Sequence, residues 1–305
     1  MLKAPRNKTI TLSKKEQDSL LESAIILDKK QAITKINDKI IWQDTFKAID
    51  FMPDKCIDLM IVDPPYNLNK SFGSSAFKEM SNDKYSAWLD SWLKKTARLL
   101  KDNASIYICT DWKSSISVPF VAGKYFVLQN RISWEREKGR GALKNWKNCL
   151  EDIWFFTKSK NYKFNIDKVK ILRPVLAPYK DKRGQPKDWF QNNENKMRLT
   201  CPSNIWTDIS VPFWSMPENT PHPTQKPEKL IAKLILASSD EGDVVFDPFV
   251  GSGTTAVVAK KLKRHFIGIE KEKEYVAYAL KRLVMAEKDD SIQGFSDGIF
   301  YHRNM

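Results

Sequence analysis

Apolar and polar positions along this chain follow two periods in turn. Short apolar runs alternate with longer stretches whose apolar residues recur at helical spacing. Ile40-Ile41-Trp42-Gln43-Asp44 reads as a short strand closing on an acid, and a weak helix follows it. Ile57-Asp58-Leu59-Met60-Ile61-Val62 reads as a buried strand. Tyr85 to Leu100 carries Trp88, Leu89, Trp92, Leu93, Ala97 and Leu100 at helical spacing. Ala104–Cys109, Tyr125–Trp134 and Asp152–Thr157 read as further strands. After Pro221 regular structure resumes: Pro227 opens a helix over Glu228–Ser239, and Val244-Val245-Phe246 forms a strand. A glycine loop and a helix come next, then the strand Phe266–Glu270 and a helix over Lys273–Met285. This alternation predicts an α/β domain with a mostly parallel sheet covered by helices.

Two segments stand outside the alternation. Residues 1–36 read as an N-terminal helical extension, because Ser13-Lys14-Lys15-Glu16 is a capping-box pattern ahead of a helix rich in Leu and Ile. Residues 135–200 break the period and hold basic residues among Gly, Trp, Asn and Gln. Arg136, Lys138, Arg140, Lys144 and Lys147 come first, and Lys182 and Arg183 follow. Loops this long in a compact domain are usually functional, and this mixture suits contacts to phosphates and base edges.

Charge points the same way. The 305 residues carry a formal net charge of +14, which favours a polyanionic partner, nucleic acid first. A hydrophobic fraction of 42% supports a sizeable core. No apolar run is long enough to span a membrane, and no apolar signal core follows the basic start, so a cytoplasmic protein is expected. The four cysteines, Cys56, Cys109, Cys149 and Cys201, form no CxxC pair, so neither zinc nor a disulfide framework is expected.

The candidate chemistry begins at Asp63-Pro64-Pro65-Tyr66, directly after a strand. Two prolines remove two backbone donors and fix φ, so the strand stops in a rigid turn. A carboxylate, free carbonyls and an aromatic ring then stand at the carboxyl end of a strand, where open α/β sheets bind ligands. The group suits gripping a planar base by its amino group and its flat face. A second motif, Gly251-Ser252-Gly253-Thr254-Thr255-Ala256, follows a strand and opens a helix, as in a nucleotide-cofactor turn. Glu270 ends the next strand, near the spacing of a ribose-binding acid. NAD fits poorly, because Asp247 just before the glycines would repel a pyrophosphate. A cationic cofactor fits better. S-adenosylmethionine could use Glu270 for its ribose, Asp44 for its adenine amino group and Lys226 for its carboxylate.

Assembled in this way, the chain resembles the amino-group DNA methyltransferases. Asp63-Pro64-Pro65-Tyr66 is similar to their catalytic motif, Asp247 to Thr255 to their cofactor motif and Glu270 to their ribose-binding acid. His222-Pro223-Thr224-Gln225-Lys226-Pro227 resembles the motif preceding the glycine loop in one subgroup. The resemblance spans roughly residues 37–134 and 200–285. With the catalytic motif first, the basic insertion second and the glycine loop last, the order resembles the β class, a circular permutation of the methyltransferase fold. It implies a Rossmann-like, seven-stranded sheet with a catalytic half over 37–134, a target-recognition insertion over 135–200 and a cofactor-binding half over 201–305. Asp44 would then end the strand beside that of Glu270.

The resemblance also implies roles. Asp63, Pro64, Pro65 and Tyr66 would be catalytic. Thr224 and Lys226 would hold cofactor from one motif, and Asp247, Phe249, Gly251, Ser252, Gly253 and Thr254 from the other, with Asp44, Asp63 and Glu270 completing the site. Arg136, Lys138, Arg140, Lys144, Lys147, Lys182 and Arg183 would meet double-stranded DNA. Aspartate at position 63 favours adenine N6 over cytosine N4 as the target. Cytosine C5 chemistry needs a Pro-Cys nucleophile that this chain lacks. A homodimer and a cognate restriction endonuclease as functional partner are further implications. An N4-cytosine methyltransferase, an NAD-dependent oxidoreductase and an inactive DNA-binding module on the same fold are the competing readings.

Overall fold

The structure is a computed structural model that describes residues 4–136, 144–174, 180–185 and 197–302. The chain opens with helices α1 (Lys14–Leu21) and α2 (Ile33–Ile36). As the capping box predicts, the Ser13 side chain accepts a hydrogen bond from the Glu16 amide. Strand β1 (Lys39–Trp42), the short helix α3 (Thr45–Ala48) and strand β2 (Ile57–Val62) follow. A small hairpin, β3 (Lys70–Phe72) and β4 (Ser75–Phe77), leads into α4 (Asn82–Thr96), β5 (Leu100–Thr110) and α5 (Ser117–Ala122). Next come β6 (Val127–Glu135), β7 (Leu150–Thr157), β8 (Ile171–Pro174), β9 (Met197–Thr200) and β10 (Ile205–Trp206). The last third holds α6 (Glu228–Ser238), β11 (Val244–Asp247), α7 (Thr254–Lys261), β12 (His265–Glu270), α8 (Lys273–Ala286), β13 (Phe295–Ser296) and β14 (Ile299–Tyr301).

Among the described residues the central sheet runs β1-β12-β11-β2-β5-β7-β6-β10. Neighbours from β1 to β5 are parallel, and β7 runs antiparallel to both β5 and β6. To the expected seven strands it adds an eighth, the two-residue β10, which pairs with β6. Both faces are covered, so strand residues alternate between two apolar layers. Leu59 and Ile61 of β2 pack with α6, α7 and α8, whereas Met60 and Val62 pack with α4 and α5. Each of these side chains is at most 1% exposed, and such burial contributes about 1.5–3 kcal/mol per residue.

Two domain boundaries move. Strand β7 lies inside the expected insertion of residues 135–200, yet it sits between β5 and β6 in the central sheet. Its Ile153, Phe155 and Phe156 are core residues, and Phe155 stacks on Tyr107 of β5 at 4.6 Å. What lies outside the sheet is therefore the β6–β7 connection and the stretch after β7. The tail moves too: β13 and β14 join β8 and β9 in a separate four-stranded sheet, so the cofactor half reaches into the insertion. That sheet is tied to α6, where Lys229 donates to the Tyr301 carbonyl (2.5 Å) and the Lys233 ammonium lies 5.6 Å from the Phe300 ring centre. No described helix is long and apolar enough to cross a membrane.

Candidate active site

Strand order alone gathers the expected chemistry. Strand β11 feeds β12 and then the β1 side of the sheet, while β2 feeds β5 on the other side. The switch point between β11 and β2 opens a crevice at the carboxyl ends of the strands. Asp247 ends β11 and Asp63 follows β2, so the two motifs meet there although far apart in sequence. Glu270 ends β12, and β1 lies beside it with Trp42 opposite Glu270, which places Asp44 next to Glu270 as expected. A cleft of about 330 Å³ runs along this edge.

The turn after β2 is held from behind. The Tyr85 hydroxyl donates to the Pro65 carbonyl (3.0 Å), and the Asn67 side chain bridges the Met80 amide and carbonyl (2.8 Å each). The Pro64 carbonyl accepts no hydrogen bond from the described residues. Asp63 continues the Leu59–Ile61 face and points toward the segment leading into α6. There Lys226 donates to Asp63 Oδ2 (2.6 Å), while the Tyr66 hydroxyl donates to Oδ1 (2.7 Å). Glu151 Oε2 lies 3.3 Å from both Lys226 Nζ and the Tyr66 hydroxyl, and Arg136 takes Glu151 Oε1 at 2.5 Å. Lys226 and Glu151 are 7% and 5% exposed. Burial pulls the Lys226 ammonium toward deprotonation, but Asp63 and Glu151 outweigh it and hold its pKa above the usual lysine value. Burial, Asp63 and Glu151 together push the Tyr66 hydroxyl well above its ordinary range, so it stays protonated.

The glycine loop follows β11 and delivers α7. Gly251 (φ +53°) lies against the half-buried imidazole of His222. Burial, then Lys226, drives that imidazole down to about 3, so it is neutral. Gly253 (φ +87°) serves packing instead of ligand approach: a Cβ there would sit 2.7 Å from Ala279 Cβ of α8, and Gly253 does not line the cleft. Asp247 accepts from the Phe249 amide (3.0 Å) and the Thr255 hydroxyl (2.6 Å), and burial lifts its pKa to about 7. Glu270 Oε2 accepts from the Gly251 amide (3.1 Å), and Oε1 from the amides of Lys271 and Glu272 (2.8 Å each). Burial raises the Glu270 carboxyl as well. Asp44 caps α3 through the Phe46 amide (3.0 Å) and also lines the cleft.

Most expected site residues share this cleft: Asp44, Asp63 to Tyr66, Thr224, Lys226, Asp247, Phe249, Gly251, Ser252, Thr254 and Glu270. Besides Gly253, two more are placed differently from their expected roles. Lys226, expected to take a cofactor carboxylate, is committed to Asp63 and Glu151. Arg136, expected on a DNA-facing surface, lines the cleft and is held by Glu151, because β6 ends at this edge. Lys144 and Lys147 lie exposed on the β6–β7 connection, and Lys182 and Arg183 lie in an exposed turn away from the cleft. Lys138 and Arg140 fall outside the described residues.

Two features escape a reading of motifs. Strand β7 is antiparallel to β5, so Glu151 near its start comes to the same edge as Asp63 after β2. The β3–β4 hairpin walls the cleft with Lys70, Phe72 and Phe77, and its tip is pinned by Glu272, which accepts from the Ser74 amide (2.9 Å) and hydroxyl (2.7 Å). The acidic pair Glu151-Asp152 directly ahead of the apolar run Ile153–Phe156 was the available signal for Glu151.

Residues 57–281 match the DNA methylase family, a span that contains both motifs and the whole switch point. The chain belongs to the DNA methylase family. It is 35% identical over 265 residues to the type II methyltransferase M.HpaI of Haemophilus parainfluenzae, covering 85% of this chain and 77% of that protein. It is 36% identical over 256 residues to the DNA adenine methyltransferase YhdJ of Escherichia coli (strain K12), covering 81% and 83%. Among solved structures, the M1.HpyAVI–SAM complex aligns with a TM-score of 0.51 at 26% identity, over 80% of this chain and 98% of that one. In this DNA methylase Asp44, Glu270, Asp247 and Asp63 follow one another along the sheet edge in strand order. Such a row of carboxylates suits a ligand bearing hydroxyls, an amino group and positive charge, and opposes one bearing a pyrophosphate.

Proposed function

We propose that the protein methylates the N6 amino group of adenine at a specific site in double-stranded DNA, as the modification enzyme of a restriction–modification system. The observation that carries this reading is the Asp63–Tyr66 turn at the switch point, facing the carboxylates of the glycine-loop half. S-adenosylmethionine supplies an electrophilic methyl group on a sulfonium. Glu270 and Asp44 would hold its ribose and adenine ends, and the walls at Phe249, Gly251, Ser252, Thr224 and Asp247 would enclose the rest. With Lys226 committed elsewhere, the cofactor's carboxylate falls to other groups of the cleft.

The chain's own task is to make a poor nucleophile react. The lone pair of an adenine amino nitrogen is delocalised into the ring. Two acceptors aimed at its two hydrogens, the Asp63 carboxylate and the Pro64 carbonyl, favour a tetrahedral nitrogen with a localised lone pair. The proton released after transfer is held at Asp63 or passes to solvent. Tyr66 stacks on the base, worth about 1–3 kcal/mol, which is comparable to the unstacking that extrusion from the duplex costs. Positioning and electrostatics carry the reaction, without a covalent intermediate. Lys144 and Lys147 beside the cleft, with other basic residues of the segments flanking β7, would bind the DNA backbone and read its sequence. A homodimer and a cognate endonuclease belong to the same reading.

Aspartate at position 63 and the likeness to an adenine methyltransferase favour adenine over cytosine N4. Incubating genomic DNA with the purified protein and S-adenosylmethionine, followed by modified-base sequencing, tests the reading. N6-methyladenine within one short motif is the expected result. N4-methylcytosine would overturn the choice of base, and unmodified DNA would overturn the activity.

A further inference from the structure

Both oxygens of Asp63 already accept a hydrogen bond in this structure. Oδ1 accepts from Tyr66 and Oδ2 from Lys226. Each oxygen keeps a second lone pair, but an amino hydrogen approaching it would stand beside an ammonium that competes for the same carboxylate. Asp63 therefore accepts best once the ammonium yields. It cannot yield to nothing, since a buried charge without a partner costs several kcal/mol.

Glu151 resolves this. Its Oε1 is held by Arg136 at 2.5 Å, which orients the carboxylate. Its Oε2 faces Lys226 Nζ at 3.3 Å, a contact too long to be an optimal ion pair. A shift of about 0.5 Å would bring it to the usual charge-assisted length of about 2.8 Å. Both carboxylates stand on one face of the sheet, with Cys109 of β5 between their strands. Lys226 is thus poised between a short pair with Asp63 and a stretched one with Glu151. We infer that Glu151 is a positioning residue that takes over Lys226 as the target base enters, so that Asp63 is released to accept the amino hydrogen. This rests on the methyltransferase reading above.

The test is a double-mutant cycle of Glu151→Gln and Lys226→Met, read as single-turnover methylation of duplex DNA at saturating cofactor. Glu151→Gln alone lowers the rate by about tenfold or more while cofactor and DNA dissociation constants stay within about threefold. With Lys226→Met there is no ammonium to transfer, so adding Glu151→Gln costs less than about twofold more. Losses that multiply, or an unchanged rate in Glu151→Gln, overturn the inference. Should thermal melting show that Glu151→Gln does not fold, Glu151→Asp enters the same cycle, since it keeps the charge for Arg136 but withdraws it from Lys226. Wild-type protein separates the two levels. If it does not methylate DNA the activity reading fails; if it does and the losses multiply, only the role of Glu151 fails.

Discussion

Replacing Asp63 by Asn separates chemistry from cofactor binding, because the structure limits what else the change can do. Asn is isosteric, and its amide oxygen can still accept from the Tyr66 hydroxyl, now 2.7 Å from Oδ1. The amide NH2 then faces Lys226 where Oδ2 accepted at 2.6 Å, two donors together, so Lys226 turns to Glu151 at 3.3 Å and no buried cation is orphaned. The stability cost therefore falls below the roughly 3–5 kcal/mol of a fully broken buried pair. Against a typical total of about 5–15 kcal/mol the variant stays folded. Catalysis suffers more. A preorganised polar group aimed at a reacting centre is worth about 2.7–4 kcal/mol, or about 10²–10³ in rate. Asp63→Asn should accordingly slow single-turnover transfer of labelled methyl groups to duplex DNA by that factor. Calorimetric titration with S-adenosylmethionine should show nearly unchanged affinity. A rate within about tenfold of wild type would refute the catalytic role. So would a loss of cofactor affinity as large as the loss of rate, which would make Asp63 a cofactor ligand only.

Three further outcomes follow from the same geometry. Gly253→Ala places a side chain at φ +87° and 2.7 Å from Ala279 Cβ; about 1–2 kcal/mol for the left-handed backbone and about 1–3 for overpacking should appear in urea unfolding, and a loss under about 1 would show that α7 and α8 can part. Asp247 titrates near 7 in the fold and near 3.8 in a model peptide, so between these values the unfolded chain ionises first and stability falls as pH rises, levelling off above the folded value. Asp247→Asn should flatten that decline in unfolding measured from pH 4 to pH 8, and an unchanged slope would remove Asp247 as its source. Lys144→Ala with Lys147→Ala should weaken DNA binding and reduce the slope of log affinity against log salt by about 2, whereas an unaltered slope would place both lysines off the DNA.

The sheet was legible because its strands are short apolar runs with no competing period, and because the two ligand turns carry residues that only make sense at strand ends. Asp63 and Glu270 needed no tertiary information: each follows an apolar run that must be a strand, and strand ends gather at one edge. The pairing of β1 with β12 followed from the permuted order of motifs. Glu151 was not legible in the same way. Its position depends on β7 running antiparallel between β5 and β6, and nothing local to Leu150–Thr157 states a direction. The hairpin at Lys70–Phe77 failed for a different reason, since two three-residue strands are too short to show alternation.

Lys226 shows how the two kinds of position interact. Its motif brings it to the cleft, and from the sequence an anionic ligand is the natural partner for a lysine there. Once β7 delivers Glu151 to the same edge, however, two carboxylates stand within 3.3 Å of one ammonium, and Tyr66 and Arg136 complete the cluster. Without Lys226, the Asp63 and Glu151 carboxylates would repel each other at the cleft edge. The lysine therefore holds the two carboxylates together before the base arrives and stands aside once it is there. An acceptor on its far side meets both demands, and that acceptor came from the one central strand whose direction the sequence did not disclose.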